Sequence, residues 1–185
     1  HLLYVFEQVY ALSGQGFSCL NQPLITLLPK RADASSLGDY RPTSLIHLVA
    51  KILAKLLSLR LAPKLNSLVS NVQNAFIPGR SLHDNFILAR QSARLLHQLG
   101  APRVLLKLDL ARAFDSISWS FLFDVLRCHG FGNRFLDWIA LLLSSASTKI
   151  LLNGAPGPAI WHRCGMRQGD PVSPKLFVLA VLGRL

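Results

Sequence analysis

Asp109 closes the apolar run Val104-Leu105-Leu106-Lys107-Leu108, and Phe114 and Asp115 follow within six residues. A carboxylate at the end of a strand, beside a loop, is a hard oxygen ligand suited to a divalent cation. The backbone carbonyl of Leu110 could add a second oxygen. The same residue type in the same place also caps helices and forms turns, so Asp109 alone leaves both readings open. Further on, Arg167-Gln168-Gly169-Asp170-Pro171-Val172-Ser173-Pro174 reads, without context, as a turn before a helix. Taken singly, Phe114 is a core aromatic, and Arg41 and Arg80 are solvated or interface arginines whose forks also suit phosphate.

Other chemistries find little in the chain. His1, His47, His83, His97, His129 and His162 make no metal-ligand spacing with cysteine or with one another. Neither a GxxxxGK[ST] phosphate loop, an HExxH helix nor a GxSxG elbow occurs. Cys19, Cys128 and Cys164 form no CxxC pair and leave an odd count, which argues against a disulfide framework and for a reducing compartment.

The elements that must position these residues follow from pattern. A hydrophobic fraction of 51% against 16% charged excludes disorder and leaves little charge to solvate a surface, as if further chain covered part of it. The net charge of +11 favours a polyanionic partner or reflects drift, and composition does not separate the two. Leu24–Leu28 suits a short strand. Apolar spacing predicts a helix over Ser44–Leu61, bent or ended by Pro63. Ser81 with Asp84 resembles a capping box opening a helix to about Leu99, stopped by Gly100-Ala101-Pro102. Val104–Leu110 alternates as a strand, which sets Asp109 at its end. Helices are expected over Trp119–Cys128 and Arg134–Ser144; Trp138–Leu143 is too short to span a membrane and reads as a buried helix segment. Thr148–Leu152 and Ala159–Arg163 suit a hairpin closed through residues 153–158. Ser173-Pro174 suits the N-cap and first position of a last helix. Helices and strands mix without βαβ rhythm, so the expected class is α+β.

The longer strings change the weighting. Lys107-Leu108-Asp109 through Ala113-Phe114-Asp115 resembles motif A of the non-LTR (LINE-type) retrotransposon reverse transcriptases. Leu28-Pro29-Lys30, Asp39-Tyr40-Arg41-Pro42-Thr43-Ser44-Leu45 and Asn74-Ala75-Phe76-Ile77-Pro78-Gly79-Arg80-Ser81, continued by Asp84-Asn85, resemble the fingers motifs of that family. Gly165-Met166-Arg167-Gln168-Gly169-Asp170-Pro171, with Ser173-Pro174 and Leu176-Phe177, resembles motif B.

The resemblance implies the fingers and partial palm of a right-hand polymerase that extends a DNA primer on an RNA template by two-metal nucleotidyl transfer. It divides the chain into an upstream helical segment, 1–17, and a partial reverse transcriptase domain, 18–185, truncated in the motif B helix. Asp109, with the Leu110 carbonyl, would hold Mg²⁺ or Mn²⁺. The amides of Arg112 and Ala113 would meet the triphosphate of a deoxynucleotide, and Phe114 would exclude a 2′-hydroxyl. Gln168 and Gly169 would lie against the new base pair, Arg41 and Arg80 near triphosphate or template. Asp170 is expected to be structural.

The family's second metal motif carries two adjacent aspartates, and no Asp-Asp occurs in these 185 residues. The metal site is therefore expected to be incomplete, and the chain alone inactive, for want of the remainder of the palm and thumb. The alternative is a non-catalytic basic RNA- or DNA-binding remnant of a retroelement. A third expectation is a relic without function of its own. By family the place of action is the nucleus, with the cytoplasm second; secretion and membrane insertion are not expected.

Overall fold

The computed structural model describes residues 2–12, 16–100, 102, 104–108, 112–167 and 169–182. Two short helices, α1 (Leu2–Tyr10) and α2 (Phe17–Leu20), lead into the strand β1 (Leu24–Pro29). A single 3₁₀ turn at Leu37–Asp39 then feeds β2 (Tyr40–Leu45), which returns antiparallel to β1 with Leu24 opposite Leu45 and Pro29 opposite Tyr40. The helices α3 (Leu48–Leu68), α4 (Leu82–Gln98), α5 (Ala113–Ser116), α6 (Trp119–Cys128) and α7 (Asn133–Ser144) follow. The strand β3 (Ser147–Leu152) joins β1 in parallel, and the two-residue strands β4 (Ala155–Pro156) and β5 (Ile160–Trp161) both pair with β3 antiparallel. The helix α8 (Ser173–Leu182) completes the described elements. The sheet is mixed and the architecture α+β, as the pattern predicts.

The core lies between helices. One stripe of α3 (Ala50, Leu53, Ala54, Leu57, Leu61 and Leu65) is buried, meeting Leu176 and Leu179 of α8; Leu122 and Leu126 of α6 and Leu136, Ile139 and Leu142 of α7 close the same core. The 3.6-residue period of these positions is what gives each helix one buried face. Among the described residues no helix is long and apolar enough to cross a membrane.

Several elements depart from the sequence reading. The helix expected from Ser44 begins at Leu48, because Ser44 and Leu45 belong to β2. Pro42 is admitted there because β2 is an edge strand, where a missing N–H breaks no inner ladder. The helix also continues past Pro63 to Leu68. Leu61 and Leu65, on either side of the proline, are fully buried, and that packing offsets the lost hydrogen bond. Ser81 caps α4 by accepting from the His83 amide at 3.1 Å. The expected hairpin forms, with Thr148 opposite Ile160 in β5, and a tighter turn sits inside its connection: Asn153 and Gly154, both left-handed (φ 50° and 82°), turn the chain directly from β3 into β4.

The strand expected over Val104–Leu110 is not formed in its described part, 104–108. Val104, Leu105, Leu106 and Leu108 are 93, 87, 74 and 78% exposed, and no described strand pairs with them. Alternation supplies the pattern of a strand, but a ladder partner is needed to make one. The N-terminus of α8 is capped by Asp170, whose Oδ1 accepts from the amides of Val172 (2.9 Å) and Ser173 (3.3 Å).

Candidate functional site

The site is built where the turn after Asp109 meets the loop before α8. Arg112 is left-handed (φ 52°, ψ 35°), which reverses the chain into the single turn α5. Its carbonyl accepts from the amides of Asp115 (2.9 Å) and Ser116 (3.1 Å). Two backbone bonds then clamp this turn to the later loop: the Met166 amide donates to Phe114 O and the Gly165 amide to Ile117 O, both at 2.7 Å. Trp119 Nε1, at the start of α6, donates to Gly165 O at 2.8 Å.

Only glycine fits at position 165. A Cβ there would stand 2.6 Å from Asp115 O and 2.9 Å from its carbonyl carbon, and φ is +75°. Phe114 is half-buried, its ring stacked on Phe177 of α8 with centroids 4.6 Å apart and planes 14° off parallel. The turn is thus held by backbone on one side and an aromatic stack on the other.

The first strands approach from the opposite side. Ile25, Pro42 and Ser44 join Asp115, His162, Cys164, Gly165, Met166 and Arg167 around a cavity of about 200 Å³. A larger cavity, about 350 Å³, lies against α1, α3 and α7, but its lining is mostly aliphatic and aromatic. Convergent polar groups mark the smaller one as the candidate. Gly169 is exposed and left-handed (φ +88°), with Ser44 O 3.9 Å from where its Cβ would be.

His162 contacts Thr148 Oγ1 through Nε2. Burial pushes its imidazole below the usual value; the Arg167 charge adds to this and Asp115 opposes it. Arg167 is itself lowered by burial, with the adjacent Asp170 carboxylate opposing. The cavity wall therefore combines an imidazole disfavoured for protonation with the buried Arg167, whose partner Asp170 lies behind the wall.

The sequence-predicted residues divide into three groups. Arg112, Ala113, Phe114 and Gly169 lie on the clamped turn and the adjoining loop. Asp109, Leu110 and Gln168 lie outside the described residues. Arg41 is exposed and in no ion pair among the described residues, but strand alternation sets it on the opposite face of β2 from Pro42 and Ser44. Arg80 is engaged within the fold: its Nη1 donates to Ser70 O and Gln73 O (2.5 and 2.6 Å), and its Nη2 lies 3.4 Å from Asn66 O and Val69 O. A guanidinium engaged mainly by carbonyls of the loop that follows α3 is anchored there by the fold.

Among the described residues no group of three or more His, Cys, Asp or Glu side chains could hold a metal ion. Asp109 and Leu110, the residues expected to hold one, lie outside the described set. Sequence reasoning gave no role to Trp119, His162, Arg167 or Asn21. The first three sit in or near recognisable strings, whereas Asn21 carries no local signal.

With this geometry in hand, comparison with known proteins is decisive for the family. Residues 28–183 match the family described as Reverse transcriptase (RNA-dependent DNA polymerase), and the chain belongs to it. Its mixed α/β architecture fits that fold. A Xenopus laevis protein described as Transposon TX1 uncharacterized 149 kDa protein is 32% identical over 96% of this chain. The Retrovirus-related Pol polyprotein from type-2 retrotransposable element R2DM of Drosophila melanogaster is 31% identical over 85% of it. A Pol polyprotein from type-1 retrotransposable element R2 of Popillia japonica is 27% identical over 93%. The matched segments make up 14, 15 and 24% of those three proteins, so the chain spans a small part of each. The resemblance to non-LTR retrotransposon reverse transcriptases drawn from the motifs is borne out.

Proposed function

We propose that this chain forms the fingers and part of the palm of an RNA-directed DNA polymerase, with residues 1–17 upstream and 18–185 the polymerase portion. Its cavity between the first strands and the clamped turn receives a deoxynucleoside triphosphate, beside a DNA primer paired with an RNA template. The observation that carries this reading is the clamp itself. Two motifs far apart in sequence are joined by the Met166–Phe114 and Gly165–Ile117 backbone bonds into one rigid wall.

Left-handed Arg112 followed by helical Ala113 is the alternation by which successive amides form an anion-binding nest. Those two amides meet the triphosphate. Phe114, fixed by its stack on Phe177, supplies bulk under the sugar that disfavours a 2′-hydroxyl. Gly169 and its neighbour Gln168 lie against the nascent base pair, where the bare backbone of glycine allows close approach. Arg41 contacts phosphate from the outer face of β2, and Arg80 has no part in substrate binding.

Divalent metal, Mg²⁺ or Mn²⁺, stabilises the attacking and leaving oxygens in nucleotidyl transfer when bound. Asp109, with the Leu110 carbonyl, is the proposed place for it. One such carboxylate is short of the set, since no adjacent aspartates occur in these 185 residues. The chain by itself is therefore proposed to bind without extending. A second reading, a non-catalytic RNA- or DNA-binding remnant, is favoured by the net charge of +11. The nucleus is the proposed place of action for either.

Primer extension on an RNA template with Mg²⁺, with Asp109→Ala as control, tests the reading alongside anisotropy of the same primer–template over a salt series. Salt-sensitive binding without extension is the expected result. Extension lost in Asp109→Ala would refute the inactivity, and absence of binding at low salt would refute the nucleic-acid reading.

A further inference from the structure

Behind Gly169 a buried pair of side chains from one loop, Arg167 and Asp170, meets the backbone carbonyl of the distant, fully buried Asn21. Arg167 Nη2 lies 3.3 Å from Asp170 Oδ2, both residues almost fully buried, and Arg167 Nη1 lies 3.4 Å from Asn21 O. The other Asp170 oxygen holds the first amides of α8. Asn21, fully buried just ahead of β1, sends its Nδ2 to Leu142 O and Ser145 Oγ, both at 2.7 Å, at the end of α7. The two residues flanking the 168–169 step are therefore tied to each other, and through each other to α7, α8 and the segment before β1.

An ion pair in an apolar interior is a poor device for stability alone. Desolvating two charges offsets most of their attraction, and apolar replacements often hold a fold as well. What the pair does supply is one fixed span between positions 167 and 170, with directional bonds that apolar side chains cannot give. Burial lowers the Arg167 affinity for its proton, and the charge and hydrogen bond of Asp170 offset part of that loss.

Resting on the nucleotide-facing reading of this loop, we infer that Asn21, Arg167 and Asp170 are positioning residues. They hold the Gly169 loop against the cavity and act on substrate only through it. The matching variant is Arg167→Met with Asp170→Asn, which removes both charges, keeps volume and retains an acceptor for the α8 amides. Hydrogen exchange of the 185-residue chain is compared with its thermal midpoint. The expected result is a midpoint within a few degrees of the parent, with exchange in the 165–172 peptide faster by about tenfold and α6 and α7 unchanged. Unchanged exchange in that peptide would overturn the inference. So would acceleration spread through α6 and α7 with a lower midpoint, the mark of a merely structural role.

Should the double variant not fold, Arg167→Lys decides by the same readout, because its single ammonium cannot span Asn21 O and Asp170 together. The parent reading is tested separately by adding dATP with Mg²⁺ to the unaltered chain. No slowing of exchange at 165–172 overturns that reading. Slowing that is lost in Arg167→Lys supports the positioning role.

Discussion

Gly165→Ala isolates the close approach on which the candidate site depends. The new Cβ would meet the Asp115 backbone at 2.6 Å, a group that cannot rotate away as a side-chain end can. The left-handed backbone adds a Cβ penalty of roughly 1–2 kcal/mol. Forcing the turn and the loop apart adds overpacking strain of about 1–3 kcal/mol. The expected loss is thus roughly 2–5 kcal/mol, a large share of the ~5–15 kcal/mol that stabilises a typical native protein. Gly154→Ala is the control, since it shares the left-handed backbone (φ +82°) but has nothing within 4 Å of the new Cβ. Urea unfolding followed by circular dichroism, with equal slopes for the two variants, measures the difference. Gly165→Ala should be the less stable by about 1–3 kcal/mol, the overpacking part alone. Equal losses would refute the clamp as drawn.

The folded chain holds the His162 pKa below its usual 6.5, chiefly by burial, so the unfolded chain takes up a proton first as pH falls. Stability should be full above pH 6.5 and decline below it until the folded pKa is passed; His162→Gln should flatten that part of a stability–pH curve, and an unchanged slope would exclude His162 as its source. Arg80→Met removes charged donors from the Ser70 and Gln73 carbonyls in the loop after α3 and should cost about 1.5–3 kcal/mol in denaturant unfolding. It should leave dATP affinity unaltered, and a selective loss of affinity would restore Arg80 to the substrate site. Trp119→Phe deletes the bond to Gly165 O and should cost about 1 kcal/mol, measured in the same way.

Elements with short-range signals were legible. Trp119–Cys128 and the helix ending at Ser144 carry a clear helical period, and β1 is a short apolar run stopped by Pro29-Lys30. Leu45 and Leu48 fit both a strand end and a helix start, so only the pairing of β2 with β1 separates them. Pro63 is tolerated because of burial on both sides of it, which no local rule sees. The segment 104–108 shows the converse, a correct local pattern with no described partner to realise it. Motif strings gave the family and pointed to Phe114 and Gly169. They did not reveal that Arg80 is spent on carbonyls, that Gly165 is needed for a backbone crossing, or that Asn21 reaches α7, because each depends on contacts between distant segments.

If the turn at 112–117 and the loop around Gly165 and Gly169 form one nucleotide-facing wall, a bound nucleotide should reach both. A photoreactive dATP cross-linked to the 185-residue chain with Mg²⁺, followed by mapping of the labelled peptides, tests it most directly. Label in those two segments together, displaced by unmodified dATP, is the expected result. Label that dATP does not displace, or label confined to α4 or α7, would contradict it.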